Sequence, residues 1–148
     1  MLGDYQSALD EIATVDSRHQ DHPDVLHIKC RAHWGLRNIP LALAAVYRFI
    51  EVAPEHPFGY TFKAMLLSCA GRHRERYDLL MSVIDQFTGH ATMHYDLAHA
   101  AAQCELWPEA RHWLYLAICA QPELKPIALD SPVFTQITSE IEAMCLLQ

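Results

Sequence analysis

The chain has 148 residues, 51% of them hydrophobic and only five of them glycine, which suits a single helical domain with tight turns and a real core. Its net charge of −7 argues against a nucleic-acid footprint, which needs clustered Lys and Arg in excess, and its apolar runs fall far short of the roughly 20 residues of a membrane helix. Five cysteines without a C-x2-C pair encode neither a disulfide framework nor a zinc knuckle, and no basic patch leads into an apolar stretch at the start; buried thiols in a reducing cytoplasm are the plain reading.

Taken in order, the predicted elements are all helical. Gly3-Asp4-Tyr5 opens a helix reaching about His19, with Tyr5, Ala8, Leu9, Ile12 and Val15 on one stripe. A polar turn, His19 to His22, leads to Pro23, which suits the first position of a helix ending near Gly35. The next helix begins near Ile39-Pro40 and runs to Ala53, with Ala42 and Ala45 allowing close approach of a neighbour. Pro57 starts another helix, ended by Gly71. The turn Arg72–Arg76 leads into a helix over Tyr77–Phe87, closed by Thr88-Gly89. A further pair spans Ala91 to Pro122. Glu123–Asp130 reads as a short connection containing Pro126, and Ser131-Pro132 as the cap and first turn of a last helix. Phe134, Ile137, Ile141 and Cys145 give that helix one apolar stripe.

Laid against itself at a step of 34, the chain fills columns. Pro57 follows Pro23 at that step, and Pro122 follows Pro54 at twice it. Leu26, Tyr60 and His94 share a column, as do Cys30, Ala64 and Ala98, and His33, Leu67 and Ala101. Ala8, Ala42, Arg76 and Ala110 form another, and Ile12, Val46, Leu80 and Leu114 a fifth. Small residues recurring at a fixed period of 34 mark a stacked helix–turn–helix array.

These columns resemble the tetratricopeptide repeat, with its aromatic and small-residue columns in the first helix, its Ala in the second and its closing Pro at Pro54 and Pro122. Lys29 and Lys63 depart from the pattern's Leu, Arg76 from its Ala, and Gln20 and Thr88 from its Pro. The resemblance covers about residues 3 to 124. It implies an all-α, right-handed alpha-alpha superhelix: residues 3–22 as the second helix of an incomplete repeat, full repeats at 23–56, 57–90 and 91–124, and a capping helix at 131–147. Either a longer array precedes residue 3, or the face left open there is covered in another way.

A second helix face lies about 100° from the packing stripe. It carries Asp24, His27, Arg31 and Trp34, one period on Phe58, Thr61, Met65 and Ser68, then Thr92, Tyr95, His99 and Ala102. In the family resembled, this face lines a concave peptide groove. The carboxylate-clamp version places Asn and Lys or Arg there, whereas this chain has Phe58, Phe62, Thr92 and Asp96. The groove residues expected are therefore His27, Arg31, Trp34, Phe58, Thr61, Phe62, Met65, Tyr95 and His99. Apolar contacts would come from Trp34, Phe58, Met65 and Tyr95, and positive charge from Arg31 with His27 or His99. The implied function is a non-enzymatic scaffold for a partly apolar, partly acidic peptide or helix. The alternative is self-association through the open N-terminal helix or the groove, and the C-terminal helix or a second copy could also fill it.

Charge is unevenly spread: −5 over residues 1–24, +2 over 25–102 and −4 over 103–148, which leaves room for an acidic ligand at the centre. Arg72–Arg76 would hold an anionic partner or form a solvated turn. Ten histidines raise a metal-binding reading, best carried by His90, His94 and His99, but no Cys, Asp or Glu completes a tetrahedron, so no metal and no cofactor is assigned. No nucleophile motif, phosphate loop or H-E-x2-H is present, and no catalytic residue is assigned.

Overall fold

The computed structural model describes residues 2–145, and among them every regular element is helical. Helices α1 (Leu2–Ala13), α2 (Pro23–Gly35), α3 (Ile39–Val52), α4 (Pro57–Cys69), α5 (His73–Val83), α6 (Ala91–Gln103), α7 (Trp107–Ala120), α8 (Leu124–Asp130) and α9 (Thr138–Ala143) are joined by short turns. Three 3-10 segments occupy Ser17–His19, Ile84–Phe87 and Pro132–Ile137. None of these helices is long and apolar enough to cross a membrane. The chain divides into two compact units, Met1–Leu66 and Leu67–Gln148.

The expected period is visible in the backbone itself. Helices begin at residues 23, 57 and 91, and again at 39, 73 and 107, each step being 34. The turns between them repeat as well. Arg37, Gly71 and Glu105 all take left-handed conformations, with φ of 59°, 71° and 60°. One residue later the Asn38, Arg72 and Leu106 amides donate to the carbonyls of His33, Leu67 and Ala101 at 2.8–2.9 Å. This is the Schellman bond that satisfies an otherwise orphaned carbonyl at a helix end.

In the first unit, α2 packs on α1 and α3. Its core joins buried Cys30, Ala42, Ala45, Val46, Phe62 and Leu66, and a second cluster joins Leu26, Phe49 and Ala53. Asn38 caps α3 by accepting from the Leu41 amide, and Pro40 sits in the first turn, where its missing N–H costs nothing. Gly59 lies against Ile50, whose Cγ1 would be 2.7 Å from an added β-carbon.

The second unit is built on α6, which packs on α5, on α7 and on the 132–137 segment. Ala98, Ala100, Ala101 and Ala102 of α6 are buried, and such small side chains let neighbouring axes approach closely. Phe134, Ile137 and Ile141 are fully buried, so three of the four residues expected on the last element's stripe face the core, whereas Cys145 is half-buried.

Four boundaries differ from expectation. The first helix stops at Ala13, because the Thr14 hydroxyl donates back to the Glu11 carbonyl and Asp16 starts a separate 3-10 turn by capping the Arg18 amide. Residues 73–76, expected in a turn, already belong to α5, whose start is favoured by the Arg72–Glu75 ion pair; the helix then tightens into 3-10 winding at Ile84. The expected connection 123–130 is largely the helix α8, with Pro126 in its first turn, where no intrahelical amide bond is lost. The expected single helix over 131–147 is split at Ile137, after the Thr135 and Thr138 hydroxyls each donate to a carbonyl three residues back. Residues 146–147 of that expected helix lie outside the described residues.

Candidate functional site

In the first unit, three helices present side chains to one hollow of about 470 Å³. Tyr5 comes from α1, His27, Arg31 and Trp34 from α2, and Phe58, Phe62 and Met65 from α4. Positions 27, 31 and 34 are spaced four and three apart, as are 58, 62 and 65, so each trio shares one helix face. A neighbouring, largely apolar hollow of about 360 Å³ shares Tyr5, His27 and Arg31 and adds Asp4, Ala8, Ile28 and Ala32, so one of the chain's own carboxylates lines it too.

The aromatic wall is held by ring contacts. Phe58 lies 4.0 Å from His27, 5.4 Å from Phe62 and 5.0 Å from Phe49, centroid to centroid. Such spacings suit tilted and edge-on packing of aromatic quadrupoles. Phe62 is buried in the core cluster, while Trp34, Phe58 and Met65 are partly buried against it. The face that the sequence sets about 100° from the packing stripe is therefore not separate from packing: the wall is the outer layer of the core.

Arg31 is the cation of the hollow. It is exposed and makes no ion pair among the described residues. His27 does not share the charge, since partial burial lowers its pKa and the Arg31 guanidinium lowers it further. The lining can therefore receive an apolar side chain and place a carboxylate against Arg31. Thr61 stands apart from this lining, with its hydroxyl directed to the Pro57 and Phe58 carbonyls at 3.2 and 3.1 Å.

Tyr95 and His99 belong to the second unit, where both rings pack on Phe134 at 5.8 and 5.7 Å. His99 Nδ1 lies 3.1 Å from Arg76 Nη1, and burial and that guanidinium lower its pKa. The positive charge expected at His99 is therefore carried by Arg76 instead. Arg76, read from sequence as part of a solvated turn or an anion site, is only 6% exposed. It donates to Ser68, Gln103 and Asp96 at 3.4, 3.2 and 3.3 Å. Burial dominates both charges of the pair, lowering the Arg76 pKa and raising that of Asp96.

No family model, no curated protein and no solved structure matches the chain. The histidines first considered as metal ligands are not brought together. His90 packs edge-on against Phe87, His94 stacks on Trp113 at 5.6 Å, and His99 joins the Arg76 network. Among the described residues no three metal-ligating side chains converge.

Sequence reasoning missed Tyr5 as part of the hollow, having placed it on the packing stripe of the first helix. It also missed the polar stripe Asp96, His99 and Gln103. Its spacing of three and four on α6 was the available signal.

Proposed function

We propose that the chain is a tetratricopeptide-like scaffold, a right-handed superhelix of helix pairs, that binds a partly apolar, partly acidic peptide or helix without catalysing a reaction. The fold part rests on the 34-residue recurrence of helix starts and Schellman turns. The binding part rests on one observation: an exposed Arg31, without an ion pair among the described residues, at the edge of an aromatic hollow. Aromatic and Arg side chains are the usual carriers of interface energy, and a guanidinium matches a carboxylate in geometry as well as charge. The reading places the protein in the cytoplasm.

Selection from a random peptide library on the immobilised chain tests this. Enrichment of Leu, Phe or Trp together with Asp or Glu is expected. A selection yielding basic or purely polar peptides would count against it.

Self-association is the second reading, favoured by the apolar hollow where α1 meets α2 and by Ile28, 45% exposed at its edge. Light scattering over a dilution series separates the two. A mass that stays monomeric supports the peptide site, and a concentration-dependent dimer supports self-association.

A further inference from the structure

Within the first unit the same register positions occur twice, once covered and once open. Ala42 of α3 with Phe62 and Leu66 of α4 are only 0%, 8% and 4% exposed. They are closed over by α2, whose Cys30 belongs to the same buried cluster and whose Trp34 packs against it. One 34-residue step earlier stand Ala8 of α1 with Ile28 and Ala32 of α2. There α1 packs on α2, yet Ile28 is 45% exposed and Ala8 is only partly buried. These three residues line the hollow of about 360 Å³.

The chain thus carries its own template for an occupant of that hollow: a helix packed as α2 is. Three differences in register specify it further. Where α4 has Phe62 and Leu66, α2 has the smaller Ile28 and Ala32, which leaves room for a side chain larger than the Cys30 thiol. Where α4 has Met65, α2 has the exposed Arg31. Arg31 and Met65 share one hollow, so one step earlier the corresponding residue of an occupant shares its hollow with Arg31. A carboxylate at that place meets the guanidinium in both charge and geometry. Asp4 lines the same hollow, and its carboxylate disfavours an occupant acidic along its whole face.

We propose that the hollow between α1 and α2 seats an amphipathic helix of a partner protein, packed on them as α2 is packed on α3 and α4. That helix presents Leu, Met or Phe where α2 has Cys30, a Glu at the next position against Arg31, and an aromatic residue where α2 has Trp34. The three side chains fall at i, i+1 and i+4, on one side of a helix, and the two apolar anchors are the spacing by which a groove reads a helix. The seat adjoins the peptide hollow and goes beyond it, resting on that reading only in taking Arg31 as the partner of a carboxylate.

The test uses the whole chain and two synthetic peptides of the length of α2, 13 residues. One is a lactam-bridged helix with Leu-Glu-x-x-Trp on one face and Gln and Lys elsewhere; the other has the same composition with a central proline that breaks the helix. By fluorescence anisotropy the helix should bind about tenfold or more tightly than the proline peptide. Ile28→Ser, at an exposed position and with unchanged circular dichroism, should weaken the helix about tenfold, whereas Ile28→Met should retain it. Met65→Ala, which lies outside this hollow, should leave its affinity within about twofold. Equal binding of the two peptides, or loss with Met65→Ala but not with Ile28→Ser, would overturn the helix seat and leave the peptide hollow standing. Indifference to Arg31→Glu would overturn both. Failure of the helix to bind would overturn the seat as well, and a dimer seen by light scattering in that case would assign the face to a second copy of the chain.

Discussion

A β-carbon on Gly35 would stand 2.3 Å from Cε2 of Tyr5, so the bare α-carbon of Gly35 is what seats the Tyr5 ring beside the hollow. The ring is 37% exposed, at the protein surface. Gly35→Ala should therefore leave the thermal midpoint within a few degrees, helped by about 1 kcal/mol of helix propensity. Affinity for a selected peptide should fall several-fold. A double-mutant cycle checks the route: Tyr5→Ala and the Tyr5→Ala/Gly35→Ala pair should bind alike.

The wall residues should separate by depth. Phe62→Ala should cost about 3 kcal/mol of stability, as for a buried aromatic. Met65→Ala, at a partly buried position, should cost clearly less in the melt while weakening peptide binding. Ala64, 1% exposed on the packing stripe, should unfold the first unit when changed to Glu, because a buried unpaired charge is expensive. Thermal melts and fluorescence anisotropy on the same preparations distinguish these outcomes.

Arg76 ties three elements of the second unit together. Arg76→Met should destabilise by roughly 3 kcal/mol, at the low end for breaking a buried pair because the Asp96 side chain keeps 34% exposure. Replacing both, as Arg76→Met/Asp96→Leu, should regain much of that loss. Urea denaturation followed by circular dichroism measures both steps.

The histidines set the pH response. His27, His33, His94 and His99 all have pKa values lowered chiefly by burial, below the ordinary 6.5. A base with a depressed folded pKa contributes stability that is complete above 6.5 and lost as pH falls through the folded value. Asp96 acts in the opposite sense, its raised pKa favouring the fold at low pH. The thermal midpoint should thus fall between pH 7.5 and 5.5, and His99→Gln should flatten part of that slope. Peptide affinity should stay level from pH 7 to 8.5, since the cation is Arg31 and not a titrating imidazole.

The helix pairs were legible in the sequence because a 34-residue step preserves small residues wherever axes meet, as at Cys30, Ala64 and Ala98. The turns were not legible from residue type. Only Gly71 advertises a left-handed backbone, whereas Arg37 and Glu105 adopt it under tertiary constraint and against their own preference. Beyond Pro122 no column continues, so α8 and the broken cap had no register to be read from. Arg76 was misread for a different reason: its partners Ser68, Asp96, His99 and Gln103 lie on other helices, and only folding reveals that their oxygens and ring nitrogen surround it.

The central claim is that Arg31 and the aromatic hollow together select an apolar, acidic segment, and a charge swap tests it most directly. A selected peptide and its Glu→Lys counterpart would be titrated against the parent chain and Arg31→Glu. The account predicts that the parent binds the acidic peptide at least tenfold more tightly than the basic one, and that Arg31→Glu reverses the order with an unchanged melt. Indifference of both peptides to the Arg31 substitution would contradict it.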